Sequence, residues 1–435
     1  MPVPRLRSLD FIATEWRGQR VICVRDHEGL LGAPVFLPLP VVTVAMLLDG
    51  RREVRDVQVE YLRLTGGILL PSWDIDRIIH DLDAHALLES PRLEARRREV
   101  AAAYRAAPYR RMAHADLSYP ADPQALAEAL DGYLQAAEGA PGSVTPASAG
   151  PGVPQDEAAR LGTPGRSGAG VYVGTTASVS PRGVLAPHID FVRGGPSYGH
   201  AYRVLRHLPE GTCVVVLGVA HAGRSAPYVL TAKGYETPFG VLEVDRPLLD
   251  AVCARCPFDA FADEPVHVNE HSIEFQALFL AHLTRGRRIT ILPVLCGNLE
   301  ALCGGRSPVH VDEVERFIDA LRGAIAALGR PVCVVGGVDL SHVGPRFGDG
   351  DPVGLALAAR TRAFDLGALA YVESGDAEGF WHTVAADGNS HHVCGLGAIY
   401  TVVRVLAPVR GQVLNYGQGL DPAGGLVGFA AVALE

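Results

Sequence analysis

Lysine is almost missing from this chain: Lys233 is the only one, and the remaining positive charge sits on arginine. That bias is read as genomic composition. Basic residues are also outnumbered, with 39 Lys and Arg against 48 Asp and Glu for a formal net charge of −9. General affinity for nucleic acid rests on many cations neutralising phosphates, so no nucleic-acid partner is expected. No apolar run approaches the roughly 20 residues that a membrane span requires, so no membrane attachment is expected either. The first residues, MPVPRLRSLDFIATEW, lack the uninterrupted apolar core of a signal peptide. A cytoplasmic location with reduced thiols is therefore expected.

Cysteine occurs eight times, without the density of a disulfide framework, so each thiol is a packed small residue, a ligand or a nucleophile. Cys213 and Cys333 lie inside the apolar runs TCVVVLGV and PVCVVGGV, where cysteine packs as a small hydrophobe. Cys253 and Cys256 form a C-x-x-C at what reads as a helix end, with no second pair at zinc-site spacing.

At 435 residues the chain exceeds one hydrophobic core, and two domains are expected. Residues 1–105 read as a small helical module with strand-like pieces near its start, such as QRVICVRD. SWDIDRIIHDLDAHALL predicts an amphipathic helix capped by Ser72, with Ile75, Ile78, Ile79, Leu82 and Leu87 as its apolar positions. Three short helices after a strand pair suggest a winged-helix-like α+β module. PRLEARRREVAAAYRAAPYRR is interleaved with Glu94 and Glu99 and reads as a solvated helix rather than a DNA contact. Residues 136–170 are too rich in Gly, Pro, Ser and Ala for a packed element and read as a flexible loop. Beyond them the runs GVLAPH, TCVVVLGVAH, RITILPVLCG and PVCVVGGVDLSH alternate with helical segments such as HVDEVERFIDALRGAIAAL. These runs read as buried strands, and the fold class is α/β, with a mostly parallel central sheet flanked by helices.

Open α/β sheets bind ligands at the carboxyl ends of their strands. There the sequence places His188 after GVLAP, His221 after VVVLGVA, and Asp339 and His342 after VVGGV. Parallel strands would gather these side chains along one sheet edge, as a metal site requires. In HHVCGLGAIYTVVRVL, Cys394 precedes a helical run, where the helix N-terminus favours thiolate, so it reads as a nucleophile or a soft ligand. NEHSIEFQALFLAHL opens a helix with His271 and Glu274 one turn apart, either facing the same cleft or acting as a polar cap.

These residues carry a resemblance. APHIDFVRGGPSYGHAY, VVLGVAH, NEHSIEFQ, ITILPVLCGN, VGGVDLSHVGPRF, VCGLGAIYTVV, VLNYGQG and GLVGFAAVAL, in this order across 183–435, resemble the Memo family. Its bacterial members are called AmmeMemoRadiSam system protein B, and its fold is similar to the LigB-type class III extradiol dioxygenases, which use non-haem iron. MAHADLSYPADPQALAEALDGYL resembles the family's opening segment. On that basis the Memo-like domain spans 109–435, and the Gly/Pro-rich stretch at about 136–170 is an insertion within it. In the N-terminal module, LLDGRREVRDVQVEYLRLTG resembles the PqqD-type domains that hold peptides.

The resemblance implies metal ligands at His188, His221 and Cys394, with His271, His342 and Asp339 as further active-site or proton-transfer groups. Two departures stand out: APHIDF replaces the family's frequent APHAGY, and Ala222 follows His221 where the family often has a second histidine. Asp190 would then either orient the His188 ring or bind metal itself, restoring a two-histidine, one-carboxylate pattern. Imidazole with thiolate suits iron, copper or zinc. The implied activity is that of a metal-dependent oxidoreductase acting on a small molecule or peptide, with radical SAM and AMMECR-type proteins as partners. The alternative is a non-catalytic peptide- or protein-binding protein using the same cleft, since animal Memo proteins are linked to signalling.

Overall fold

Nearly continuous apolar runs become strands here because helices cover both faces of the sheet they form. The computed structural model describes residues 2–16, 19–32, 35–137, 148–149, 181–222, 226–421 and 424–435. The chain divides into two compact units, Met1–Ala107 and Pro108–Glu435. Most of the 136–170 stretch lies outside the described residues.

The first unit begins with an antiparallel sheet of β1 (Asp10–Trp16), β2 (Gln19–Arg25) and β3 (Val35–Leu37), in that order. Helices α1 (Leu39–Leu47), α2 (Val54–Leu64), α3 (Ser72–Ala84) and α4 (Pro91–Ala106) follow. The unit thus holds one strand and one helix more than the sequence suggests. Val24, Val44, Val57, Tyr61, Ile75 and Leu82 form its core. Helix α3 starts one residue earlier than expected. Pro71 occupies the N-cap with φ −59° and ψ 147° and no side-chain cap; its φ suits a helix, and the extended ψ is what leaves it outside, ahead of Ser72. The arginine-rich stretch is α4, capped by Ser90, with Arg97 paired to Glu28 at 2.8 Å and Glu94 at 2.6 Å.

The second unit opens with α5 (Pro123–Ala136), whose Leu126, Leu130 and Leu134 are buried with α6 (Phe191–Arg203) and α8 (His271–Leu283) in one cluster. The strands β4 (Ser148–Ala149), β5 (Gly183–Ala186), β6 (Cys213–Val219), β7 (Tyr228–Leu230), β10 (Thr290–Cys296), β11 (Val332–Gly337), β13 (Gly411–Asp421) and β14 (Gly425–Leu434) form the central sheet. Their order is β4-β13-β14-β5-β11-β6-β10-β7, and β12 (His342–Val343) pairs with β14. Only β5, β11, β6 and β10 form the parallel centre. On its flanks β7 and β14 run antiparallel to it, and β13 runs antiparallel to β14. The sheet is therefore mixed. Every residue of β14 is buried, and such burial reports cover on both faces, not strand direction.

Alternation along β6 divides the core. Cys213, Val215 and Leu217 face a cluster that includes α10 (Asp312–Ala327) and α13 (Leu396–Leu406), while Val214 and Val216 face the α5, α6 and α8 side. No helix among the described residues is long and apolar enough to cross a membrane.

Helix α8 meets the sheet at glycine. A Cβ on Gly337 of β11 would lie against the carbonyl oxygen of Ser272, and one on Gly218 of β6 against its hydroxyl. The missing side chains let the start of α8 approach the strand ends closely. We expect Gly337→Ala to destabilise the fold by about 1–3 kcal/mol, read as a lower urea midpoint. An unchanged midpoint would mean that α8 is not seated this tightly.

Candidate metal centre

His188, Asp339 and His221 are each the second residue after the parallel strands β5, β11 and β6. Because these strands are neighbours in that order, a common offset in sequence becomes proximity in space. Cys394 arrives from another direction, one residue before Gly395, the N-cap of α13. The ligand atoms of His188, His221 and Cys394 lie within 4.8 Å of one another.

The hydrogen bonds fix which atoms face inward. Nδ1 of buried His188 lies 3.0 Å from the Gly337 carbonyl oxygen; a carbonyl only accepts, so the proton is on Nδ1 and Nε2 is left for the site. That Nε2 is 3.3 Å from Cys394 Sγ and 3.5 Å from Asp339 Oδ2. The other Asp339 oxygen accepts the His188 backbone N–H at 3.0 Å. Asp339 thus ties the ends of β5 and β11 together. Burial raises the Cys394 thiol, but the charges of His188 and His342 and hydrogen bonds from His188 and His221 outweigh it and bring its pKa down to about 5. Burial likewise opposes charge on His188, yet Asp339 and Cys394 lift it to about 9. Both shifts favour a thiolate beside a protonated imidazole.

Glu270, which the sequence reading passed over, is the principal addition. It is the N-cap of α8, buried, and its carboxylate accepts from the Ser272 backbone N–H at 2.9 Å and the His221 backbone N–H at 3.0 Å. His221 Nδ1 is 2.9 Å from the same carboxylate, and His271 Nδ1 is 3.3 Å from it. Burial favours the neutral acid, but His221 and His271 and the hydrogen bonds hold Glu270 well below the usual carboxylate range. His221 is driven well above its ordinary value, against burial, by Glu270 and Cys394. His271 falls well below its own, through burial and despite Glu270. Its ring stacks on that of His221 at 4.9 Å and meets His188 edge-on at 5.2 Å. His221, Glu270 and His271 form a second group of converging ligand atoms. An acidic residue directly before a histidine at a helix start was the available signal.

Glu274 does not face the site. It pairs with fully buried Arg110 and accepts from Tyr119 and from the backbone N–H groups of Ala113 and His114. Arg110 also donates to the carbonyls of His267 at 2.9 Å and Glu270 at 2.7 Å. The segment after Pro108 is thereby bolted to the start of α8, and His114 comes to lie edge-on to His271 at 5.8 Å.

Asp190 does not join either ligand group either. It caps α6 and pairs with Arg193, three residues on, with Nε at 2.6 Å, so its oxygens are taken by its own helix. His342 donates from Nδ1 to the Leu340 carbonyl at 2.9 Å, its ring lies edge-on to Phe347, and it acts on Cys394 through its charge. The loop carrying Asp339 and His342 is held from behind by Asp365 on α11 (Leu355–Ser374), which accepts from Ser341 and, at 2.8 Å, from Tyr416.

Comparison with known proteins places the chain beside one family. The family model described as Memo-like protein matches residues 169–431. A MEMO1 family protein of Aquifex aeolicus is 24% identical over 396 residues, covering 90% of each chain. One of Thermus thermophilus is 28% identical over 376 residues, 86% of this chain and 96% of its own. One of Desulfurococcus amylolyticus is 26% identical over 257 residues, covering 58% of this chain and 81% of its own. The two bacterial alignments are longer than the second unit and so extend into the first.

Burial raises Asp365 to about 7, above its value of about 4 in an unfolded chain. The folded state therefore holds a proton there that the unfolded chain has released. This contribution is full below about pH 4 and is lost as pH rises toward 7, at up to about 1.4 kcal/mol per pH unit. Asp365→Asn should flatten the pH dependence of urea stability over that window. Parallel curves for the two proteins would contradict a neutral Asp365.

Proposed function

The chain belongs to the Memo family, and from that premise we propose that it is a metal-dependent oxidoreductase whose iron or copper is held by His188, His221 and Cys394. One observation carries the reading: Cys394 Sγ lies 3.3 Å from His188 Nε2, while Nδ1 of each histidine is already committed to an acceptor. Two imidazole donors and a thiolate on one tetrahedral ion are separated from each other by about 3.3–3.7 Å; Cys394 and His188 already stand at that separation, and the His221 ligand atom lies within 4.8 Å of both. The donor set suits copper, iron or zinc and disfavours magnesium and calcium.

A bound iron or copper would supply one-electron chemistry and an open coordination position. The chain's own contribution is to orient and to move protons. Asp339 fixes the His188 backbone, and His271, beside both ligand rings, is placed to exchange a proton with a small molecule or peptide bound there. His342 would adjust the thiolate through its charge. Cysteine in place of the carboxylate of iron dioxygenases changes the charge at the metal, so the reaction need not be ring cleavage. Radical SAM and AMMECR-type proteins are the partners this reading assigns.

Protein purified without added metal should carry roughly one iron or copper per chain, and Cys394→Ala or His188→Ala should retain less than about a tenth of it. Elemental analysis of the three proteins checks this. Zinc alone in the wild type would remove the redox reading, and equal metal in all three would remove the site.

The first unit supports a second role, in capturing a peptide or protein. It has a cavity of about 760 Å³ lined by Leu31, Phe36, Val41, Ile78, His85 and Arg92. Its surface also carries exposed Met46, Val59, Ile68, Leu69 and Trp73. Phe36→Glu should abolish capture of the radical SAM or AMMECR-type partner in a pull-down while metal content stays at the wild-type level. Retained capture would exclude the cavity as the docking site.

A further inference from the structure

We infer that Glu270 is the positioning residue of the metal centre: one buried carboxylate holds the Nδ1–H of His221 and lies at ion-pair distance from Nδ1 of His271, so that each ring presents Nε2 for chemistry. The inference rests on the proposed metal site and deepens it.

The case is an account of donors. Glu270 is 3% exposed, and the groups around its two oxygens are the backbone N–H of His221 at 3.0 Å, the backbone N–H of Ser272 at 2.9 Å, His221 Nδ1 at 2.9 Å and His271 Nδ1 at 3.3 Å. Two of these are main-chain donors that cannot become acceptors. Only an ionised carboxylate accepts from the first three and, by its charge, favours a proton on the fourth; glutamine of the same shape would turn an NH₂ group toward N–H donors. The residue itself is pinned, because it forms the helix N-cap and its carbonyl receives Arg110 at 2.7 Å. Rotation of the side chain away from the histidines would strand buried main-chain donors, at a cost in stability.

The result for the two rings differs. His221, with Nδ1–H held by Glu270, has Nε2 as its only lone pair, which makes it a ligand by that atom alone. His271 stacks on it at 4.9 Å, with Nδ1 3.3 Å from the same carboxylate, whose charge favours a proton there and leaves the Nε2 lone pair beside the site. One anion therefore sets the ligand and the base together, and its charge supports electron donation from His221 to the metal. Sequence order makes this possible, because Glu270 and His271 are adjacent at the start of α8 while His221 reaches them from the end of β6.

The test uses full-length chain loaded with zinc, which is diamagnetic, with nitrogen-15 NMR of the histidine rings assigned through His221→Asn and His271→Asn. The expected spectrum has a proton on Nδ1 of both rings, with His221 coordinated through Nε2. Glu270→Gln should weaken zinc binding about ten- to a hundredfold and shift the proton of at least one ring to Nε2, and Glu270→Asp should recover part of the affinity. The wild-type tautomers are read without any variant of Glu270, so the inference stays testable if Glu270→Gln does not fold. A chain that takes up no zinc overturns both the metal site and this assignment. Zinc bound through His188 and Cys394 together with coordination of His221 through Nδ1, an Nε2 proton on His271, or a second zinc on His221, Glu270 and His271 overturns the role of Glu270 alone.

Discussion

Parallel register is the constraint on which this site depends. Ala186 of β5 pairs with Gly337 of β11, and Gly336 of β11 with Leu217 of β6, so these strand ends fall within one residue of level and the residues just past them become neighbours, whatever their separation in sequence. His188, Asp339 and His221 exploit this on β5, β11 and β6, which brings together residues far apart in sequence. The fourth participant, Cys394, comes from the start of α13, whose Gly395 donates its backbone N–H to the Asp339 carbonyl at 3.2 Å. A strand-end scaffold thus receives its thiolate from a helix locked to the same loop.

The second requirement is the management of buried charge. Asp339, Glu270, Glu274 and Arg110 are all within 3% exposure, a situation that costs several kcal/mol per ion unless each is fully paired. Each is paired. Glu274 and Arg110 neutralise each other and use their remaining atoms on backbone groups, which joins the segment after Pro108 to the start of α8. Glu270 and Asp339 are answered by imidazoles and main-chain donors.

Much of the site was legible because its signals are local. A polar residue ending an apolar run marks a strand end, and a thiol ahead of two glycines and an apolar helix marks a helix start. His188, His221, Asp339 and Cys394 all carry such marks, and the structure brings them together. What the sequence hides is how each side chain is used. Asp190 looks available, but Arg193 one turn on takes its carboxylate. Glu274 looks like a cleft residue until Arg110, 164 positions away, claims it. Glu270 reads as an ordinary helix cap, and only the fold brings His221 to it. The antiparallel flanks were unreadable for a related reason, since burial on both faces gives β14 the composition of a parallel strand.

The most direct test of a two-histidine, one-cysteine metal centre is X-ray absorption at the edge of whichever metal the purified chain carries. The account predicts one sulfur neighbour at about 2.3 Å beside two imidazole nitrogens, with the sulfur lost in Cys394→Ser. A shell of nitrogen and oxygen alone in the wild-type protein would contradict it.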